Sequence, residues 1–177
     1  MTDPIGFTGL TERLDRLSLR LAWVTDRAAA GLLLLLVLDV WLGVVARYLV
    51  PLPLTFTEEL ARYLMIWVAL LAVSSCISRR EHIGVQVLFE RLPAGARRVL
   101  LGLLDVLGIA FFAFLTVYGL GMVERGAKTF TMIYGASKAL PFAALPVGAA
   151  LATAQLLLVA VRDQARLSRQ PSHMVFP

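Results

Sequence analysis

The chain has 177 residues, of which 59% are hydrophobic and only 16% charged, with a mean hydropathy of +0.78. A soluble domain is about 45–50% apolar, so one soluble core cannot hide this excess, and lipid is the natural solvent for much of the chain. Lys and Arg outnumber Asp and Glu by 17 to 12, but they sit in short segments beside apolar runs, which suits anionic headgroups rather than nucleic acid.

Residues 1–27 read as an amphipathic segment on the cytoplasmic side. Leu10, Leu14, Leu17, Leu21 and Val24 recur at helical spacing with Arg13, Asp15, Arg16 and Arg20 around them, the pattern of a helix lying along a membrane surface. Trp23 belongs to the interface. The first apolar run is too long for a signal-peptide core and lacks a small-residue exit, so it is expected to act as an uncleaved anchor.

A helix needs about 20 mostly apolar residues to cross a bilayer. Four segments qualify: about 28–50, 60–78, 99–122 and 139–161. Together they make a membrane domain over 28–161, with a cytoplasmic tail over 162–177 whose end, SRQPSHMVFP, reads as disordered. Only helices satisfy the backbone over such runs in lipid. Residues 82–93 read as a short interfacial helix, and Pro93 suits the start of the third span. The reading is an all-α integral membrane protein with four transmembrane helices, with amphipathic surface helices at the N-terminus and between spans.

Basic residues set the orientation. The N-terminal segment holds Arg13, Arg16, Arg20 and Arg27. The loop after the second span holds Arg79, Arg80, Arg91, Arg97 and Arg98, and the tail adds Arg162, Arg166 and Arg169, twelve on one side. The other side has Arg47, Arg62, Arg125, Lys128 and Lys138. Both termini are therefore expected inside. Arg79, Arg80, His82, Arg97 and Arg98 read as headgroup contacts.

The polar residues within the spans are few. Asp39 lies near the bilayer midplane, where an ionisable group is a functional candidate by default. It reads as a proton or cation site or, preferably, as an interhelical hydrogen bond or a salt bridge to a partner subunit. Asp105, two turns into the third span, reads as structural and drawn toward Arg97 and Arg98. Arg47 closes the first span and faces Glu58 and Glu59 across the PLPLT turn, where they could meet. Thr55 and Glu58 match a capping box, both acids suit a helix N-terminus, and Glu58 and Arg62 are spaced as a helical ion pair. Glu59 is not needed for the cap and is the residue least explained by local structure.

No motif for nucleophilic, metal or nucleotide chemistry occurs, and no cofactor is expected. Cys76 is the one cysteine, which excludes an intrachain disulfide. His82 and His173 are placed where they cannot ligate a haem between two spans, which weakens a second reading, the membrane anchor of a respiratory redox enzyme. A small self-contained exporter is a third. No repeat points to an inverted-topology transporter.

The ordered set Arg47-Tyr48, a Pro-containing turn, Phe56-Thr57-Glu58-Glu59-Leu60-Ala61-Arg62-Tyr63, Trp67, Arg79-Arg80-Glu81-His82-Ile83 and Leu92-Pro93 resembles the small membrane subunit of tripartite ATP-independent periplasmic (TRAP) transporters, the DctQ family. The resemblance covers about residues 28–161. Phe56 stands where that family usually has Trp, Ala72 where Gly is common, and Gln86 where Asp often follows the His-Ile pair.

The resemblance implies a non-catalytic subunit in a bacterial inner membrane. Its partners would be a large DctM-like membrane subunit, a DctP-like periplasmic substrate-binding protein and membrane lipids. The large subunit would move an organic acid by a sodium-coupled elevator motion, while the small one scaffolds it and helps dock the binding protein. Arg47, Glu58, Glu59, Arg62, Asp39 and Asp105 are the expected partner or scaffold contacts. The polar tail suggests a large subunit on a separate chain.

Overall fold

The computed structural model describes residues 4–49, 56–79, 94–131, 135 and 137–167. They form helices α1 (Pro4–Tyr48), α2 (Phe56–Arg79), α3 (Ala94–Ala127) and α4 (Ala139–Leu167). The expected interfacial helix over 82–93, the PLPLT turn, Thr55, Arg80, His82 and the tail lie outside the described residues, as do the side chains of Leu10, Arg97 and Arg98.

Each helix contains a segment long and apolar enough to cross a membrane: Glu12–Tyr48, Phe56–Arg79, Val99–Ala127 and Ala139–Gln164. The all-helical, four-span reading therefore holds, and the protein is a multi-pass membrane protein. At 1.5 Å per residue α2 is about 36 Å long, close to a bilayer core, and α1 about 68 Å, more than twice that. The sequence division at residue 27 is not a break in the backbone. With Ala28-Ala29-Ala30 at the junction and no proline after Pro4, nothing interrupts the hydrogen-bond ladder.

The same helix shows which residues pack inward. Ser18, Ala22 and Thr25 are buried, while Leu17, Val24 and their neighbours Leu19 and Trp23 stay exposed. Leu14 and Leu21 are half-buried beside them, so the leucine pattern straddles the edge of the contact face, whose fully buried positions are small and partly polar. In lipid this is the expected choice, because leucine gains nothing by leaving acyl chains for protein, whereas small residues let backbones approach.

Helix α4 is the hub. It packs against α3, α2 and α1, while α1 also packs against α2. Its inward face is Ala144, Ala149, Ala152, Gln155 and Val159, all nearly without solvent exposure. Ile77 of α2 joins Ala152 and Leu156 in a core, with Ile109 and Phe112 of α3 against it. A Cβ placed on Gly148 would lie 2.7 Å from the Leu70 Cβ, and one on Gly126 would lie 2.9 Å from the Lys138 carbonyl oxygen. Glycine is needed at both places for close approach.

The α3–α4 connection is held by a bridge between Phe130 and Ser137. The Lys138 N–H donates to the Thr129 carbonyl at 2.9 Å. Gly135 takes a left-handed φ of 61° that disfavours side chains.

One polar contact ties α4 to α1 across 137 residues of sequence. The Gln155 amide donates to Ser18 Oγ at 2.6 Å and to the Ser18 carbonyl at 3.3 Å, fully buried. Among the described residues Gln155 Oε1 has no hydrogen-bond partner. The amide is therefore already short of one bond, and losing Ser18 Oγ would remove its best remaining one.

Two expectations follow, both read as thermal unfolding of detergent-purified chain. Gly148→Val should destabilise by about 1–3 kcal/mol through overpacking against Leu70, whereas Gly121→Ala, whose Cβ would meet nothing within 4 Å, should not. Ser18→Ala should cost about 1–3 kcal/mol by stranding the buried amide, while Gln155→Leu, which removes the amide and its orphan oxygen together, should be close to neutral. Equal losses from the last two would show that the pair itself, not the stranded group, carries the effect.

Candidate functional site

The sequence-selected polar residues fall at three levels of the bundle, and the structure does not gather them into one site. At one end, Gly43 of α1 abuts Thr57 of α2, whose Oγ1 would sit 3.1 Å from a Cβ at Gly43. This contact fixes where the start of α2 meets the end of α1. Ala46 continues the buried face of α1, so Arg47, one position further round, is exposed. Glu58 and Arg62 are exposed on α2, on the side away from buried Thr57.

The expected meeting of Arg47 with Glu58 and Glu59 does not occur. Among the described residues none of Arg47, Glu58, Glu59 and Arg62 is in an ion pair, and the Glu58–Arg62 pair is not made either. Glu59, the residue least explained by sequence spacing, has a local partner. It is half-buried and accepts a hydrogen bond from the Tyr63 hydroxyl at 2.5 Å, one turn on. The missed signal is the i, i+4 acid–tyrosine spacing on a partly covered face. Arg47, Glu58 and Arg62 thus form a small set of exposed, uncommitted charges at one end of the bundle.

At mid-depth Asp39 is only 7% exposed, and its Oδ2 has no hydrogen-bond partner among the described residues. It shares the α2-facing side of α1 with Gly43 and Ala46, an i, i+4, i+7 stripe. A carboxyl in that position is closed off by the chain itself, which leaves little of it for a second subunit to reach. Asp105 of α3 is likewise buried and has an interaction partner.

The opposite end is where the strongest polar geometry lies. Asp26 of α1 accepts from the Arg79 guanidinium at 2.7 Å and from the Ser75 hydroxyl, joining α1 to the last turn of α2. Arg162 of α4 donates to Asp15 of α1 at 3.5 Å and to its neighbour Asp163 at 2.8 Å. Trp23 and Arg27 stack, with the guanidinium carbon 3.6 Å from the ring centroid. Counting charges treats Arg79 and Arg162 as headgroup contacts or topology signals, yet each is committed to a helix–helix bond. The available signal was positional: Asp26 immediately precedes the first span and Arg79 immediately follows the second, so antiparallel neighbours bring them level.

Among the described residues no three or more His, Cys, Asp or Glu gather where a metal could be held. What the arrangement can do is hold four helices together and present charged ends and apolar sides to other molecules.

Residues 36–166 match the family described as tripartite ATP-independent periplasmic transporters, DctQ component. The chain is 28% identical over 128 residues to a protein of Haemophilus influenzae assigned as a TRAP transporter small permease protein, covering 72% of this chain and 79% of that one. It is 30% identical over 102 residues to the sialic acid TRAP transporter small permease protein SiaQ of Vibrio cholerae, 58% of this chain and 59% of SiaQ. It is also 30% identical over 105 residues to the isethionate TRAP transporter permease protein DctMQ of Oleidesulfovibrio alaskensis, of which it spans only 16%. A joined DctMQ relative fits a subunit that works beside a large membrane subunit. On a match that runs through most of its length, from within the first span to the end of the fourth, the chain belongs to the DctQ family and is the small permease subunit of a TRAP transporter, a transport component and not an enzyme.

Proposed function

We propose that this subunit serves as a static scaffold for its large membrane partner in sodium-coupled uptake of a small organic acid, and that its Arg47 end helps dock a periplasmic substrate-binding protein. The observation that carries the reading is the distribution of surface. Helix α3 packs chiefly on α4 and turns Val99, Val106, Phe111, Val117 and Tyr118 outward. Small residues on α1 and α4 and one compact apolar core join the described helices, which leave broad apolar faces for lipid or a partner. Sialic acid and isethionate, which the names of two relatives print, are both small acids, and an organic anion is the substrate class inferred here.

The chain is inferred to lie in a bacterial inner membrane with both termini cytoplasmic, following its arginine bias. That orientation puts Arg47, Glu58 and Arg62 on the periplasmic side, where exposed charges without committed partners would steer and orient a docking protein. Asp39 and Glu59 become internal scaffold groups in this reading, and Asp105 stays with them.

The experiment is reconstitution with the large subunit and binding protein in proteoliposomes carrying a sodium gradient. This chain alone should give no uptake, and the three proteins together should transport. Arg47→Ala and Arg62→Ala should each lower uptake several-fold with the membrane pair still co-purifying, while Tyr63→Phe should leave uptake near wild type. Full uptake in both arginine variants would remove the docking role. Transport by this chain alone would remove the scaffold role.

A further inference from the structure

A cavity of about 750 Å³ opens between α1 and α2 and reaches the first turn of α4, within the roughly 300–1,000 Å³ typical of small-molecule sites. Gly31 and Leu35 line it from α1, Leu64 and Trp67 from α2, and Pro141 closes one end. At the other end stands Arg27. Arg27, Gly31 and Leu35 are four residues apart, so one stripe of α1 runs along the groove for about 12 Å from a guanidinium into hydrocarbon.

Three features set this groove apart from the helix–helix contacts of the same chain. First, α1 presents small residues to its neighbours elsewhere, buried Ser18 and Ala22 and Gly43 against Thr57, whereas the groove walls are mainly leucine and tryptophan, which do not let a further helix backbone approach. Second, Gly31 is a local widening: a Cβ there would meet nothing within 4 Å. Third, the charge at the mouth is uncommitted. Asp26, next to Arg27, is already taken by Arg79 and Ser75, and among the described residues Arg27 makes no ion pair. Its guanidinium is instead held over the Trp23 ring, which orients it without neutralising it.

An apolar trough in a membrane helix bundle, ending in an oriented guanidinium level with the Asp26–Arg79 pair, has the polarity of a phospholipid laid lengthwise. Guanidinium is the side chain best matched to a phosphate diester. Basic pockets between membrane helices are a recurring headgroup site.

We propose that this groove binds one anionic phospholipid, its acyl chain lying against Leu35, Leu64 and Trp67 and its phosphate held by Arg27. This goes beyond the scaffold role and rests only on the chain being a membrane protein.

The test is native mass spectrometry of the delipidated full chain in detergent, titrated with phosphatidylglycerol or phosphatidylcholine of identical acyl chains. One phosphatidylglycerol should be retained, preferred over phosphatidylcholine by about fivefold, the equivalent of about 1 kcal/mol for one cation near the surface. Arg27→Gln, which keeps most of the stem, should erase the preference while leaving some binding of both lipids. Gly31→Leu should fill the groove and lower retention of both, with a melting temperature unchanged or raised, since leucine is the better helix former. Retained preference in Arg27→Gln, or undiminished binding in Gly31→Leu, would overturn the proposal. Loss of co-purification with the large subunit in Gly31→Leu, with lipid retention intact, would assign the groove to a protein helix instead.

Discussion

Helices in lipid are not driven together by their apolar side chains, because the solvent is as apolar as they are. Association then depends on how closely backbones can approach and on the few hydrogen bonds available between them. In this chain that requirement falls on α4. Its alanines, Gly148 and Gln155 form the surface on which the other three helices meet it. The glycine contact with Leu70 and the Gln155–Ser18 bond are two expressions of one constraint. Each needs a small group directly opposite, and each fails if either helix shifts by a fraction of a turn.

The polar bonds between helices are concentrated at one end of the bundle. Asp26–Arg79 and Asp15–Arg162 join α1 to α2 and to α4. Asp26 and Arg79 are each about half exposed, so their bond contributes little to stability by itself, about 1 kcal/mol or less. Their value lies in register: a charge pair at a fixed height opposes sliding of antiparallel helices past one another. At the other end Arg47, Glu58 and Arg62 make no ion pair among the described residues, and α1 meets α2 through the Gly43–Thr57 contact. One end of the molecule is clasped by its own residues, and the other is left with charges to offer.

The number and type of the spans were legible in the sequence because hydropathy measures what lipid selects. Family membership was legible too, in the ordered run from Arg47 to Pro93. What hydropathy does not reveal is which side of a helix faces its neighbours. Leucine is equally at home on either side in a membrane, so the regular spacing of Leu17 and Val24 marked a helix but not its buried face. Ser18, Ala22 and Thr25 carried that information by size. The charged residues divided in the same way. Arg47 and Glu58 are close in sequence and suggested a pair, but the turn geometry that would join them is not encoded by proximity. Asp26 and Arg79 are 53 residues apart and meet because span length sets their heights.

Helix α1 runs from Pro4 to Tyr48 without a break, which makes it a single rod reaching from beyond one membrane face to the other. Its far end carries Arg47, and its near end is fastened to α4 through Asp15 and Ser18. A rod of about 68 Å tilted by only ten degrees would displace one tip by about 12 Å relative to the other. The fastening at Asp15 and Ser18 therefore limits how far the Arg47 tip can swing. A subunit built this way ties the positions of its two ends to one another across the membrane.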